Sequence, residues 1–496
     1  MSQISIQNLT FAYDGSYDNI FENVSFQIDT DWKLGFTGRN GRGKTTFLNL
    51  LLGKYEYRGK ISANVEFQYF PYAVRDTSIT TKAVIGEICP SYQDWKLLRE
   101  LSLLEVSEDV LERPFHTLSN GEQTKVMLAA LFLSDNNFLL IDEPTNHLDM
   151  HGREIVSRYL NTKSGFILVS HDRAFLDRCV THILSINQTN IEVQRGNFSS
   201  WLENKRRQDK FELAENAKLK KDIKRLKQAA KQSEKWADKA ESTKIGKGSA
   251  GVEKSIDSRA YIGEKSRRMQ QRRKNLEHRQ QTAIEDKSKL LKNVERADSL
   301  KISQLPYRKS RYVSLSNVSI FYGEKKVCSN INFEIERGDR IALLGKNGSG
   351  KSSLLKLICG EQISYTGGIT IGSGLQISYV SQDTSHLRGC LTDYALQHNI
   401  NESLFKAILR KLDFSRIQFE KDMRDFSGGQ KKKVLLAKSL CETSHLLVWD
   451  EPLNFVDVLS RMQIEELLLE YKPTILFVEH DSIFCDTIAT KTVRLN

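Results

Sequence analysis

The sequence predicts an α/β chain of 496 residues: two similar domains, residues 1–202 and 311–496, on either side of a long antiparallel α-helical hairpin over residues 203–310. Three observations carry that expectation. An ordered series of motifs occurs twice at nearly constant spacing, all seven prolines avoid residues 203–305, and the basic charge is concentrated between the two copies. A chain this long exceeds what one hydrophobic core usually organises, so several domains are expected on length alone.

The repeat sets the two outer domains. Lys44 matches Lys351 at an offset of 307, Ser119 matches Ser427 and Glu143 matches Glu451 at 308, and His171 matches His480 at 309. Duplication explains this most economically, and each copy is about the size of one α/β domain.

Between the copies the composition changes. Residues 203–310 hold 31 Lys and Arg against 16 Asp and Glu, a local charge of +15 in a chain of net +11, so the remainder is slightly acidic. A segment that basic points to a polyanionic partner. With no proline from 203 to 305, and with glycine only at 246, 248, 251 and 263, it favours long helices interrupted once. Leu219, Ile223, Leu226, Ala230 and Ala237 follow three-four spacing, while Met269, Leu276, Ala283 and Leu290 recur every seventh residue. The hairpin tip then falls near residues 242–264. There Ile245, Val252, Ile256, Tyr261 and Ile262, beyond Lys244, interrupt the charge with apolar groups, whose plainer reading is packing that closes the hairpin.

No run of about 18 apolar residues occurs, and the start MSQISIQNLTFAY lacks the pattern of a secretory signal, so a cytoplasmic protein without a membrane domain is expected. The seven cysteines stand singly, with neither a CxxC pair nor a His pair at metal-ligand spacing.

Within each copy the chemistry is carried by spacing. Gly38, Arg39, Asn40, Gly41, Arg42, Gly43, Lys44, Thr45 and Thr46 follow the apolar stretch Leu34 to Thr37 and precede a helical pattern. Glycines there let backbone N–H groups face phosphates, Lys44 reaches the outer phosphates, and Thr45 suits Mg²⁺. Gly345, Lys346, Asn347, Gly348, Ser349, Gly350, Lys351, Ser352 and Ser353 repeat the arrangement after Ile341 to Leu344. Downstream, FLLIDEP and LLVWDEP end apolar strands in acidic pairs: Asp142 and Asp450 suit Mg²⁺, while Glu143 and Glu451 suit polarisation of an attacking water. His171 and His480 follow the apolar stretches FILVS and ILFVE, within reach of a γ-phosphate. ATP and Mg²⁺ are the expected ligands.

At LSNGEQ, with Ser119, Gly121 and Glu122, and at FSGGQ, with Ser427, Gly428, Gly429 and Gln430, the chain resembles the signature of the ABC ATPase family. The resemblance covers about four fifths of the chain. It implies two ABC-type P-loop nucleotide-binding domains facing head to tail within one monomer, each signature closing over the other's cradle: Lys44 with Ser427 and Gly429, Lys351 with Ser119 and Gly121. It also implies that Tyr13 and Tyr322 stack on adenine, core packing being the alternative, and that Gln382 coordinates Mg²⁺. The first copy departs from the pattern, with Tyr72 at the position of Gln382 and Asn120 and Glu122 within its signature. PTNHLD becomes PLNFVD in the second copy, so the two sites are expected to be unequal.

Two fused domains around a basic hairpin resemble the ABC-F subfamily. About 45 residues separate Tyr72 from Leu118 and a similar number separate Gln382 from Phe426, leaving no room for the arm insertion of its housekeeping members, and only 16 residues follow His480. The resemblance is then to the antibiotic-resistance, ribosome-protection group (Lsa/Vga-like). It implies a bacterial 70S ribosome as partner, with 23S rRNA and P-site tRNA near the hairpin, and protection against lincosamides, streptogramin A and pleuromutilins. Lys205, Arg206, Arg207, Lys221, Lys224, Arg225, Arg267, Arg268, Arg272, Arg273 and Lys274 are candidate phosphate contacts, each also readable as a solvated helix-face charge. Two rivals remain: a housekeeping translation factor, or the ATPase subunit of a separate membrane exporter, which calls for a short linker. A DNA-repair ATPase would carry its coil inside a nucleotide domain.

Overall fold

The computed structural model describes residues 2–13, 19–134, 137–146, 148–187, 190–244, 302 and 305–495. The first copy runs β1 (Gln3–Phe11), β2 (Phe21–Asp29), β3 (Lys33–Thr37), α1 (Lys44–Leu51), β4 (Arg58–Ser62), β5 (Glu66–Phe70), α2 (Thr81–Ile88), α3 (Asp94–Leu103), α4 (Asn120–Leu131), β6 (Asn137–Asp142), α5 (Met150–Asn161), β7 (Phe166–Val169), α6 (Arg173–Cys179), β8 (His182–Asn187) and β9 (Asn190–Arg195), followed by α7 (Phe198–Lys244). The second runs β10 (Arg311–Tyr322), β11 (Lys325–Glu336), β12 (Arg340–Leu344), α8 (Lys351–Ile358), β13 (Ser364–Ile371), β14 (Ile377–Val380), α9 (Leu391–Gln397), α10 (Glu402–Lys411), α11 (Gly428–Cys441), β15 (Leu446–Asp450), α12 (Val458–Tyr471), β16 (Ile475–Val478), α13 (Ser482–Ile488) and β17 (Lys491–Arg494).

The short apolar stretches become central strands because nothing in them needs water. FILV and ILFV are buried at every position, as strands covered on both faces must be. In the first copy the strands order as β5-β6-β7-β3-β8-β9, parallel apart from β8 with β9; in the second, β14-β15-β16-β12-β17 is parallel throughout. A three-stranded antiparallel sheet, β2-β1-β4 or β11-β10-β13, adds to each copy. Phe21, Phe36 and Phe47 join these layers in the first core; Leu343, Leu354 and Ile335 do so in the second.

The order β6-β7-β3 brings three carboxyl ends together: the acidic pair after β6, His171 after β7 and the glycine loop after β3. Ligands in open parallel sheets bind at such strand ends. The order β15-β16-β12 repeats the arrangement.

The chain divides into two units, Met1–Trp201 with Ala297–Asn496, and Leu202–Arg296. Within the second, the described part is the continuation of α7. This helix starts at Phe198, ahead of the expected boundary at 203. The Asn197 side chain caps it by accepting from the Ser200 N–H at 3.0 Å, and the Asp177 carboxylate accepts from Ser199 N–H at 2.7 Å. Leu219, Ile223, Leu226, Ala230 and Ala237 all fall on α7. Met269, Leu276, Ala283 and Leu290, and the tip residues Ile245, Val252, Ile256, Tyr261 and Ile262, lie outside the described residues, as do Arg267, Arg268, Arg272, Arg273 and Lys274. Among the described residues, no helix is long and apolar enough to cross a membrane.

Candidate composite nucleotide sites

Each cradle is a strand, a glycine loop and a helix N-terminus, with glycine required at its last turn. Gly43 and Gly350 cap α1 and α8 in the left-handed region, at φ 98° and 87°. A Cβ on Gly43 would lie 2.6 Å from Ile20 Cγ2, and one on Gly350 would lie 2.9 Å from Val327 Cγ1. Lys44 Nζ donates to the carbonyls of Gly38 and Arg39 at 2.7 and 3.1 Å and to Asn40 Oδ1 at 3.3 Å. Lys351 Nζ donates to the carbonyls of Gly345 and Lys346 at 2.8 and 2.9 Å. Burial depresses the pKa of both ammonium groups. A phosphate would reverse that cost by supplying negative charge.

The hydroxyls that open the two helices meet the strand-end aspartates. Thr45 Oγ1 donates to Asp142 Oδ2 at 3.2 Å, and the Ser352 hydroxyl bonds Asp450. Burial raises the pKa of both carboxyls, that of Asp450 to about 6. Tyr69, which sequence spacing did not single out, donates to Asp142 Oδ2 at 2.9 Å. Among the described residues, the buried hydroxyl of its counterpart Tyr379 has no hydrogen-bond partner, nor has the buried Asp450 Oδ1.

Glu143 and Glu451 both adopt left-handed backbone, at φ 51° and 46°, a conformation costly for glutamate and repeated in both copies. Their surroundings differ. Burial, and then Asp142, push Glu143 up to about 8, with His171 Nε2 3.4 Å away. Burial also opposes ionisation of Glu451, but His480 at 3.4 Å, Lys432 and a 2.9 Å hydrogen bond from Gln382 Nε2 outweigh it and hold the carboxyl below its usual range. Asn454 adds a 2.5 Å bond to Glu451 Oε2. His171 is buried and lies 3.1 Å from Asn40 Oδ1; burial first, then Lys44, drives its pKa well down.

Ser119 and Ser427 cap α4 and α11 and share the same box: the hydroxyl accepts from the N–H three residues on, and Glu122 or Gln430 accepts from the serine N–H at 2.8 or 2.9 Å. The side chains of Glu122 and Gln430 are thus spent on their own helix ends. Tyr13 and Tyr322 are not core residues. They stand 43% and 52% exposed beside the cradles, bonded to Thr46 at 2.8 Å and Ser353 at 3.2 Å.

The first cradle meets the second signature directly. Asn40 Nδ2 donates to the Phe455 carbonyl at 2.8 Å, Arg39 pairs with Asp413 at 3.3 Å, and a Cβ on Gly429 would lie 2.3 Å from Phe455 O and 3.0 Å from Asn40 Nδ2. The second cradle and first signature instead border a cavity of about 780 Å³, with Ser119, Asn120, Gly121 and Glu122 from one domain and Lys346, Asn347, Gly348, Lys351, Ser352, Gln382, Glu451 and His480 from the other. That volume lies within the ordinary range for small-molecule sites. Elsewhere between the two copies Arg173 forms a buried pair with Glu465, near Asp481, and Arg153 donates to the His480 carbonyl at 3.1 Å. Motif spacing could not have found Arg153, Arg173, Asp413 and Glu465, because they belong to no motif.

The ABC transporter family's sequence model matches residues 21–146 and 328–454, just over half of the chain. The ribosome protection protein VmlR of Bacillus subtilis is 28% identical over 98% of this chain and 86% of its own length. The ATP-binding protein Uup of Buchnera aphidicola (subsp. Acyrthosiphon pisum) is 26% identical over 99% and 80%, and ABC transporter F family member 2 of Arabidopsis thaliana is 26% identical over 100% and 76%. Among solved structures, an archaeal ribosome recycling factor, aABCE1, in complex with stalk protein aP1 shares the fold with a TM-score of 0.62 at 18% identity, over 98% of this chain and 87% of that one. The matched segments are the two halves that hold the cradles and acidic strand ends, and the chain therefore belongs to the ABC transporter family, as an ATPase with two copies of the ATP-binding domain.

Proposed function

We propose that the chain is a cytoplasmic ABC-F ATPase of the ribosome-protection (Lsa/Vga-like) type, a monomer that binds the bacterial 70S ribosome in its ATP-bound state and leaves on hydrolysis. The observation that carries this reading is the alignment of 98% of the chain with a protein named for ribosome protection. The +15 segment at residues 203–310, set between two nucleotide domains at 1–202 and 311–496, supports it. In this reading α7 is the first arm of a linker whose tip, near residues 242–264, approaches 23S rRNA and P-site tRNA. Lys205, Arg206, Arg207, Lys221, Lys224 and Arg225 meet phosphates.

Each ATP is held by two domains. Lys44 acts with Ser427 and Gly429; Lys351 acts with Ser119 and Gly121. The lysines leave their loop carbonyls for the outer phosphates, the loop N–H groups cradle them, and Tyr13 and Tyr322 stack on adenine. The residues fit a hard divalent cation: Thr45 and Asp142, and Ser352, Gln382 and Asp450, offer oxygen donors, and among the described residues the buried Asp450 Oδ1 has no partner. When bound, Mg²⁺ supplies charge neutralisation of the phosphates. Glu143 and Glu451 accept a proton from the attacking water, and His171 and His480 orient its target.

Co-sedimentation of the Glu143→Gln, Glu451→Gln double variant with 70S ribosomes tests the reading. Association in ATP and release without it are expected; equal pelleting in both, or none in either, counts against it. A second reading is a housekeeping translation factor, since relatives of similar coverage are not all named for ribosome protection. Expression in a drug-sensitive host separates the two, since only the first raises the inhibitory concentrations of lincosamides, streptogramin A and pleuromutilins.

A further inference from the structure

One pair of residues is matched in both copies yet arranged differently. Arg39 and Lys346 occupy the same place in the two glycine loops, at an offset of 307, and Glu105 and Asp413 occupy the same place after α3 and α10, at 308. Glu105 and Asp413 even share left-handed backbone, at φ 52° and 69°. On the first cradle's side the pair is made: Arg39 reaches across to Asp413 at 3.3 Å, with the two side chains 9% and 26% exposed. On the other side Lys346 and Glu105 both line the 780 Å³ cavity, one from each domain, and among the described residues no ion pair joins them.

The difference has a local cause. Glu105 is held within its own domain by His151 Nε2 at 3.6 Å and Arg158 Nη1 at 3.5 Å. At those positions the second copy has Leu459 and Glu466, neither of which can pair with Asp413. Asp413 is therefore committed to the opposite loop, while Glu105 has a choice. The two contacts that hold Glu105 are exposed, so they are weak and readily exchanged.

We propose that Lys346 and Glu105 are positioning residues for ATP hydrolysis at the second cradle: they form the cross-domain ion pair that holds Ser119 and Gly121 over Lys351, and His151 and Arg158 compete for Glu105 and set how readily it forms. The inference rests on the composite-site reading above. Closure that brings Glu105 to Lys346 covers both charges, so the new pair is worth more than the exposed ones it replaces. The second site is thereby gated and the first is already latched.

The test uses full-length protein carrying Glu143→Gln, so that turnover reports the second cradle. Lys346→Glu and Glu105→Lys should each lower kcat/KM for ATP about tenfold, and the two together should recover to within about threefold of the parent. His151→Leu, the residue of the second copy, should raise kcat/KM two- to threefold. Losses that simply add in the swapped variant overturn the pair. Gly121→Asp in the same background separates the two layers: if it leaves turnover intact, the composite site is wrong, and if it abolishes turnover while the swap fails to rescue, only the pair is wrong. A Lys346→Cys, Glu105→Cys variant, with exposed Cys390 changed to Ser, gives a second readout. Disulfide formation that ATP accelerates supports closure through this pair; formation at equal rates with and without ATP overturns it.

Discussion

At the scale of single residues, the two strand-end glutamates show how one motif yields two electrostatic states. Sequence reading assigned Glu143 and Glu451 the same role and placed the inequality in their neighbours, chiefly Tyr72 against Gln382. The geometry gives that inequality a physical form: Glu451 is held ionised by Gln382, Asn454 and His480, whereas burial keeps Glu143 largely protonated near neutrality. A general base must be deprotonated to act. At pH 7, Glu451→Gln is therefore expected to reduce steady-state phosphate release by about 10²-fold and Glu143→Gln by less than tenfold; equal losses would show that the electrostatic difference has no bearing on turnover. The role of Tyr69 was not legible, because an aromatic residue within a strand carries no sign of which strand end its hydroxyl will meet.

Among the elements, the glycine loops, buried strands and signature helices were all legible, since each is set by local chemistry: backbone freedom, apolar runs and serine caps. What joins them was not. Lys433 of α11 and Asp457, the N-cap of α12, form a buried pair at 2.7 Å, their side chains 4% and 1% exposed. Burial alone would raise the Asp457 pKa, but Lys433 and the Ser460 N–H more than offset it, and the carboxyl is held well below its ordinary 3.8. A depressed carboxyl stabilises the fold fully above its unfolded pKa, and that contribution drains away as the pH falls below about 4. Lys433→Met leaves the carboxylate buried and unpaired, at a cost of about 3–5 kcal/mol. Urea unfolding at pH 7 should show this loss in the second domain, and the parent's decline below pH 4 should flatten in the variant. A variant within 1 kcal/mol of the parent at pH 7 would remove the pair from the account of stability.

For the whole molecule, the interface between the two copies is where symmetry breaks. Gly429 lies against Phe455 and Asn40 without a left-handed backbone, so glycine is needed there for space alone. Gly429→Ala should wedge the first cradle from the second signature and lower ATP turnover at the first site at least tenfold. Gly368→Ala, whose Cβ meets nothing nearer than 3.9 Å, should change turnover by less than twofold. Both are measured as phosphate release in a Glu451→Gln background. A silent Gly429→Ala would mean that this approach does not form part of the working cycle.

The order and kind of the parts were determined by the sequence: two ATP-binding halves at a nearly constant offset, a basic segment between them without proline from 203 to 305, and the residues of each cradle. Those features depend on spacing within one element or from one element to the next, which a linear pattern records. Beyond the pairing of cradle with signature that the family resemblance implies, only the tertiary structure decided which residues face one another between the copies. Arg39 met Asp413 while Lys346 and Glu105 stayed apart, Arg173 found Glu465, and one signature closed on a cradle while the other bordered a cavity. The reason is that these relations link residues more than 200 positions apart, through packing of whole domains, so no local propensity could specify them.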